Sequence, residues 1–106
     1  LASYSLLTHI IAEIVNMIPG DFIHTFGDAH IYLNQIGPVN TQLGRTPTKL
    51  PNLEISEEFT SDVIKWHKGK ISFNELINNM KIEWFTLSEY NYQPTIKAPL
   101  STGLIK

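Results

Sequence analysis

Residues 22–35, which read FIHTFGDAHIYLNQ, decide how the rest of the chain is interpreted. Successive side chains of a β-strand point to opposite faces, so a period of two divides this stretch into two surfaces. The odd-numbered positions carry small or apolar side chains, whereas the even-numbered positions carry His24, Asp28, His30, Tyr32 and Asn34. The pattern therefore predicts a strand with one packed face and one polar face. The polar face is a candidate ligand floor, although an ordinary solvated face of an antiparallel sheet is the commoner case.

The composition is that of one small globular domain. The chain has 106 residues, of which 42% are hydrophobic and 17% charged. A formal net charge of -2 provides no electrostatic attraction for nucleic acid or an anionic membrane, and no apolar run reaches transmembrane length. The sequence contains no cysteine, which excludes disulfides, thiolate metal sites and a cysteine nucleophile within this chain.

The first 18 residues have helical periodicity. Apolar side chains cover about half of the helix circumference, which is wider than the ~100° stripe of a typical surface helix. The pattern predicts a helix that is buried between layers and ends at Pro19 and Gly20. Residues 35–45 are ambiguous, because apolar positions fit helical spacing over only a short stretch in which Pro38 would suit a first helical turn.

The second half of the chain predicts two strands, one helix and a tail. Residues 49–55 predict a short strand after Pro51, with Leu53 and Ile55 on one face, and residues 81–87 predict a strand by their Ile, Trp and Phe content. Ser72 and Glu75 have the spacing of a capping box, which predicts the start of a helix. The segment 56–80 is more polar and is interpreted as a surface elaboration. Residues 90–106 are interrupted by prolines and form a tail.

Four motifs together resemble the C-terminal part of thymidylate synthase. They are LASYSLLTHIIAE at residues 1–13, GDAHIYLN at 27–34, QLGRTP at 42–47 and YNYQPTIKAP at 90–99. The resemblance covers nearly the whole chain in order, and it implies an α/β fold of the α+β type. We expect a buried helix packed on a mixed sheet, followed by a C-terminal lid. Residues 1–106 would be the C-terminal portion of a single domain, with 56–80 enlarged relative to the family and 96–106 forming the lid.

The resemblance also names candidate site residues. His30 and Tyr32 lie two positions apart, so on a strand they would project from one face about 6 to 7 Å apart and could converge on one hydroxyl. In the family, the matching His and Tyr hydrogen-bond the deoxyribose 3′-hydroxyl of dUMP. Ser101 falls where a near-terminal residue contacts folate, although this chain continues past the family's usual end. No metal site is expected, because the four histidines form no cluster with metal-ligand spacing.

The implied activity is the reductive methylation of dUMP to dTMP with 5,10-methylenetetrahydrofolate, which becomes dihydrofolate. The family's cysteine nucleophile and phosphate-binding arginines precede this region, so we expect no catalytic residue here and an inactive chain in isolation. The resemblance further implies a cytoplasmic homodimer, and the chain begins within a helical pattern as a piece of a longer protein would. Two alternatives remain open: a deoxycytidylate hydroxymethylase of the same family, or a non-catalytic piece that associates with a partner chain.

Overall fold

A computed structural model describes residues 1–101 and contains helices together with a small sheet. The α+β character predicted from the sequence is confirmed. The last part of the predicted lid, residues 102–106, lies outside the described residues. The elements in chain order are α1 (Ala2–Ile14), α2 (Ile36–Leu43), β1 (Asn52–Ile55), α3 (Glu57–His67), α4 (Phe73–Asn79) and β2 (Phe85–Ser88), with short 3-10 turns at Leu33–Gln35 and Ile82–Trp84.

The sheet of the described residues has two strands, β1 and β2. They pair antiparallel, with Asn52 opposite Ser88 at one end and Ile55 opposite Phe85 at the other. Both predicted strands are therefore present, although each is shorter than its pattern. The expected mixed sheet is wrong for residues 1–101, because parallel pairing needs a further strand and only these two pair here.

The core lies between α3, α4 and the antiparallel pair of β1 and β2. Phe59 and Leu76 are completely buried, and Val63 and Ile14 complete the buried cluster. Phe59 packs its ring against Trp84 and Phe85 at centroid distances of 6.0 and 5.2 Å. The segment 56–80, interpreted from its polarity as a surface elaboration, thus supplies the centre of the core, because its few apolar residues lie on the inner sides of two helices.

Local hydrogen bonds explain where α3 and α4 begin. The Ser56 hydroxyl accepts a hydrogen bond from the Phe59 N–H at 3.3 Å and caps α3. At α4 the predicted capping box is confirmed: the Ser72 hydroxyl accepts from the Glu75 N–H at 3.1 Å, and the Glu75 carboxylate accepts from the Ser72 N–H at 2.7 Å. Each contact satisfies a backbone donor that the helix itself leaves unpaired.

A buried carboxylate joins α3 to α4. Asp62 is 8% exposed and accepts hydrogen bonds from Lys65 at 2.6 Å and from Asn79 at 3.1 Å. These hydrogen bonds lower the pKa of Asp62 from its ordinary value of 3.8, with the largest effect from Lys65 and the second largest from Asn79. The ionised carboxylate is therefore part of the folded arrangement.

Helix α1 is attached at its C-terminal end and exposed over much of its apolar side. The Glu13 carboxylate accepts from the Thr60 hydroxyl at 2.7 Å, and Nε2 of His67 donates to the Ile14 carbonyl at 2.8 Å. Tyr4 and Ile11, however, are exposed. The prediction of a buried helix is wrong for the described chain, because α3 covers only the last turns of α1. The helix also ends at Ile14, before the predicted end.

The predicted strand at residues 22–35 is wrong. This stretch contains a bend at Gly27 and Asp28 and then enters the 3-10 turn Leu33–Gln35. A strand is held by hydrogen bonds to a neighbouring strand, and β1 and β2 pair only with each other within residues 1–101. The Cα radius of gyration is 19.1 Å, whereas a folded domain of this length would have about 13 Å. Residues 20–34 are all exposed, so this segment projects from the core and contributes to the large radius.

Candidate functional site

His30 and Tyr32 lie side by side on the projecting segment. Their ring centroids are 5.0 Å apart and their planes meet at 85°, so one ring edge faces the other ring. About half of each side chain is exposed: 55% for His30 and 49% for Tyr32. Nδ1 of His30 lies 3.6 Å from the Asp28 carboxylate. The pair therefore presents an imidazole and a phenol to solvent within reach of one small polar group.

The backbone around Tyr32 explains this placement. Tyr32 has the extended conformation (φ -70°, ψ 146°) and immediately precedes the 3-10 turn Leu33–Gln35. The turn is closed by the Gln35 N–H, which donates to the Tyr32 carbonyl at 2.9 Å. The side chains of His30 and Tyr32 thus lie on the same side of a short extended stretch, although no neighbouring strand within residues 1–101 pairs with that stretch.

The alternation predicted for residues 22–35 survives in the side-chain contacts. Phe22 stacks on His24 at 6.3 Å, and His24 meets the edge of Phe26 at 4.5 Å. These even-numbered residues form one aromatic row, and His30 with Tyr32 forms a second row beyond the bend. The period-two pattern therefore identified which side chains group together, although it did not identify how the backbone pairs.

The predicted folate-contacting residue lies next to this segment. The Ser101 hydroxyl donates to the side-chain oxygen of Asn34 at 2.8 Å. The Gln35 side chain donates to the Pro99 carbonyl at 3.2 Å. Asn34 was placed on the polar face by the sequence pattern, but neither Asn34 nor Gln35 was predicted to contact the tail. The structure thus brings Ser101 to a residue two positions beyond Tyr32, across a sequence separation of 67 residues.

The part of the tail before Pro99 follows residues 45–49 in the opposite direction. From here on, the tail means residues 89–101, which are Glu89 and the described part of the predicted tail. Three hydrogen bonds join its first half to the QLGRTP region and its neighbour: Arg45 donates to the Pro94 carbonyl at 2.6 Å, Gln93 donates to the Thr46 carbonyl at 2.8 Å, and Thr48 donates to the Asn91 carbonyl at 2.8 Å. An ion pair between Lys49 and Glu89 at 2.5 Å lies next to them. The tail therefore continues the antiparallel course of the β1–β2 pair.

Sequence reasoning missed these contacts because each joins residues that are 40 or more positions apart. Arg45 carried one available signal, since it is the single arginine of the sequence and belongs to a motif that was used only for resemblance. Within residues 1–101 no group of three or more His, Asp or Glu residues is arranged to hold a metal ion. No helix of the described chain has the length and apolar character needed to cross a membrane.

Comparisons with known proteins agree with the motifs. Residues 1–102 match the family model described as thymidylate synthase. Human thymidylate synthase is 44% identical over 101 residues, which cover 95% of this chain and 28% of the human protein. Thymidylate synthase of Listeria monocytogenes serotype 4a is 43% identical, with 95% and 27% covered, and that of Herpesvirus ateles is 38% identical, with 95% and 30% covered. The chain therefore spans less than a third of the length of these relatives.

Proposed function

The chain belongs to the thymidylate synthase family, and on that basis we propose that it is the C-terminal portion of an enzyme that converts dUMP to dTMP. The co-substrate 5,10-methylenetetrahydrofolate would supply the one-carbon unit and the hydride, leaving dihydrofolate. One observation supports a site in this chain: Ser101 of the tail is hydrogen-bonded to Asn34, which lies two positions after Tyr32 in the sequence. A residue that the resemblance assigns to folate thus contacts the segment that carries the two residues assigned to dUMP.

In this proposal His30 and Tyr32 position the nucleotide. Their half-exposed polar atoms would hydrogen-bond the deoxyribose 3′-hydroxyl, with one side chain donating and the other accepting. Neither residue would act on the pyrimidine ring. The edge-to-face contact between the rings would keep both in place before the sugar arrives, which lowers the entropy lost on binding.

Ser101 and the rest of the tail would serve the folate side of the site. Because the Ser101 proton is donated to Asn34, the Ser101 oxygen remains an acceptor and the Asn34 NH2 group remains a donor for a polar edge of the co-substrate. Most of a folate pocket must come from other parts of the protein, because the described surface here is open. Closing the tail over the substrates would exclude water from the reacting atoms.

The remaining machinery would also lie outside this chain. The sequence has no cysteine, so the nucleophile must come from elsewhere in the full-length protein. The exposed apolar side of α1 supports the same conclusion, since a side chain such as Ile11 gains stability only when another surface covers it. We propose that the rest of the enzyme covers this face and that the full-length enzyme is a cytoplasmic homodimer.

Substrate conversion tests the proposal. The full-length protein that carries this chain should form dTMP and dihydrofolate in equal amounts from dUMP and 5,10-methylenetetrahydrofolate. The isolated 106 residues should give no turnover. Hydroxymethylation of dCMP by the full-length protein would instead identify the related deoxycytidylate hydroxymethylase. No reaction with either nucleotide would favour a non-catalytic piece, and turnover by the isolated chain would contradict the missing nucleophile.

A further inference from the structure

The tail is attached at two places with an unattached interval between them. The first place is the clasp, which we define as residues 45–48 together with residues 91–94. The second is the contact of Pro99 and Ser101 with Gln35 and Asn34. Within the described chain, no side-chain hydrogen bond of residues 95–98 joins these two places. The clasp therefore comes before the part of the tail that reaches the candidate site.

Two stretches of chain connect the clasp to the second contact, and one has twice as many residues as the other. On one side, the ten-residue step from Gln35 to Arg45 contains α2, whose eight residues rise only about 12 Å. On the other side, the five-residue step from Pro94 to Pro99 spans at most about 17 Å when fully extended. The helix keeps the two ends of the longer path close enough for five residues of the tail to join them. The place that Pro99 and Ser101 can reach therefore depends on where the clasp holds Pro94.

Arg45 makes the last clasp contact before the unattached interval. Its guanidinium donates to the Pro94 carbonyl at 2.6 Å, which is the shortest hydrogen bond of the clasp. A charged donor makes a stronger hydrogen bond than a neutral one. Pro94 itself has a fixed φ, so fixing its carbonyl also directs the chain that follows. The other two clasp contacts use neutral side chains.

From this geometry we propose that Arg45 is a positioning residue for the tail. By holding the Pro94 carbonyl, Arg45 sets the point from which residues 95–98 carry Pro99 and Ser101 to the end of the His30–Tyr32 segment. It touches neither substrate. The inference rests on the proposed function, because the tail matters for turnover only if Ser101 lies at the folate side of the site.

Kinetics of the full-length enzyme test the proposal. Arg45→Met removes the donor and keeps a side chain of similar length. We expect the KM for 5,10-methylenetetrahydrofolate to rise about tenfold, the loss typical of one hydrogen bond with a charged partner, while the Kd for dUMP alone changes less than twofold. Arg45→Lys keeps a charged donor and should restore most of the folate KM. Lys70→Met, which removes an exposed cation on the loop after α3, should behave like the wild type.

A second variant tests the tether itself without altering Arg45. One glycine inserted after Thr95 adds up to about 3.5 Å of reach and should raise the folate KM as Arg45→Met does. Equal losses of dUMP and folate affinity in Arg45→Met would overturn the proposal, because they indicate general damage. Wild-type folate KM in Arg45→Met, or in the insertion variant, would also overturn it.

Backbone order parameters from NMR relaxation separate this inference from the proposed activity, because they report mobility whether or not an amide is hydrogen-bonded. The order parameters of Thr95 and Ile96 should be lower in Arg45→Met than in the wild type, whether or not the protein makes dTMP. A protein that lacks synthase activity but shows this decrease would refute the proposed function and keep the clasp. An active enzyme in which the order parameters are unchanged would refute the role of Arg45 and keep the proposed function.

Discussion

Replacing Tyr32 with phenylalanine removes one hydroxyl and leaves the ring that packs against His30. The ring is half-exposed and contributes nothing to the buried cluster, so the folded structure should persist. If the phenol hydrogen-bonds the sugar, its loss should weaken dUMP binding by about 0.5 to 1.5 kcal/mol, which is about two- to tenfold in Kd. His30→Ala also removes the ring that orients Tyr32 at 5.0 Å, so we expect a larger loss of about 1 to 2 kcal/mol.

Binding of two nucleotides by calorimetry measures the effect. The full-length wild type and each variant are titrated with dUMP and with its analogue that lacks the 3′-hydroxyl. Both variants should weaken dUMP binding, whereas the analogue should bind wild type and Tyr32→Phe with the same Kd. Tyr92→Phe makes the same chemical change at a tyrosine that is 77% exposed, and it should leave both affinities unchanged.

If His30 and Tyr32 both hydrogen-bond the same sugar hydroxyl, the effects of the two substitutions should be coupled. The two losses should not add, because a hydroxyl that has lost one partner is already poorly held by the other. The double variant should differ from the sum of the single variants by more than the ~0.5 kcal/mol expected of independent sites. If the Tyr32→Phe penalty is the same for dUMP and for the analogue, the assignment to the sugar hydroxyl is refuted.

Three other predictions concern the tail, the buried carboxylate and the core. Deleting residues 100–106 should leave dUMP binding intact and lower turnover by orders of magnitude, because water would no longer be excluded from the reacting atoms. Deleting only residues 103–106 should leave turnover unchanged if Ser101 is the functional end of the chain. Steady-state kinetics measure both effects, and full activity after the longer deletion would refute a lid. Because the pKa of Asp62 is lowered, its ionised form stabilises the fold above about pH 4 and this contribution disappears as the pH falls through the lowered pKa. Asp62→Asn should therefore lower the thermal midpoint at pH 7 and progressively less at acid pH, and a gap that is independent of pH would contradict this. Phe59→Ala should cost about 3 to 5 kcal/mol in urea unfolding, clearly more than Phe73→Ala at a half-exposed ring; equal costs would contradict the assignment of the core.

The elements that sequence analysis identified correctly are those that short-range interactions determine. The capping box of Ser72 and Glu75 needs only residues three positions apart, and both partners are in the motif. Strand β1 was predicted from Leu53 and Ile55 on one face, and these are the two less exposed residues of the strand, whereas β2 was predicted from the aromatic and β-branched content of residues 81–87. The polarity of residues 56–80 does not indicate a surface position, because two amphipathic helices can bury Phe59 and Leu76 while most of their residues remain polar.

The elements that were predicted wrongly depend on neighbours that this chain does not provide within residues 1–101. A period-two pattern sorts the side chains of residues 22–35 correctly, as the aromatic contacts of His24 and the pairing of His30 with Tyr32 show. It contains no information on whether another strand lies alongside. The broad apolar side of α1 likewise predicts burial without naming the surface that buries it. Both patterns are explained if these segments were selected in the larger domain that we propose.

The clasp shows why the candidate site required a structure. Residue types at His30, Tyr32 and Ser101 suggested two binding roles, but nothing in the sequence linked the tail to the first pair. The link comes from α2, which shortens the path from Gln35 to Arg45 until a tail of half as many residues can match it. A change in the length of α2 should therefore shift Asn34 relative to the clasp, just as a change in the length of the tail should shift Ser101. The contact between Asn34 and Ser101 depends on both paths, and the sequence left the first path open because the pattern of residues 35–45 was ambiguous.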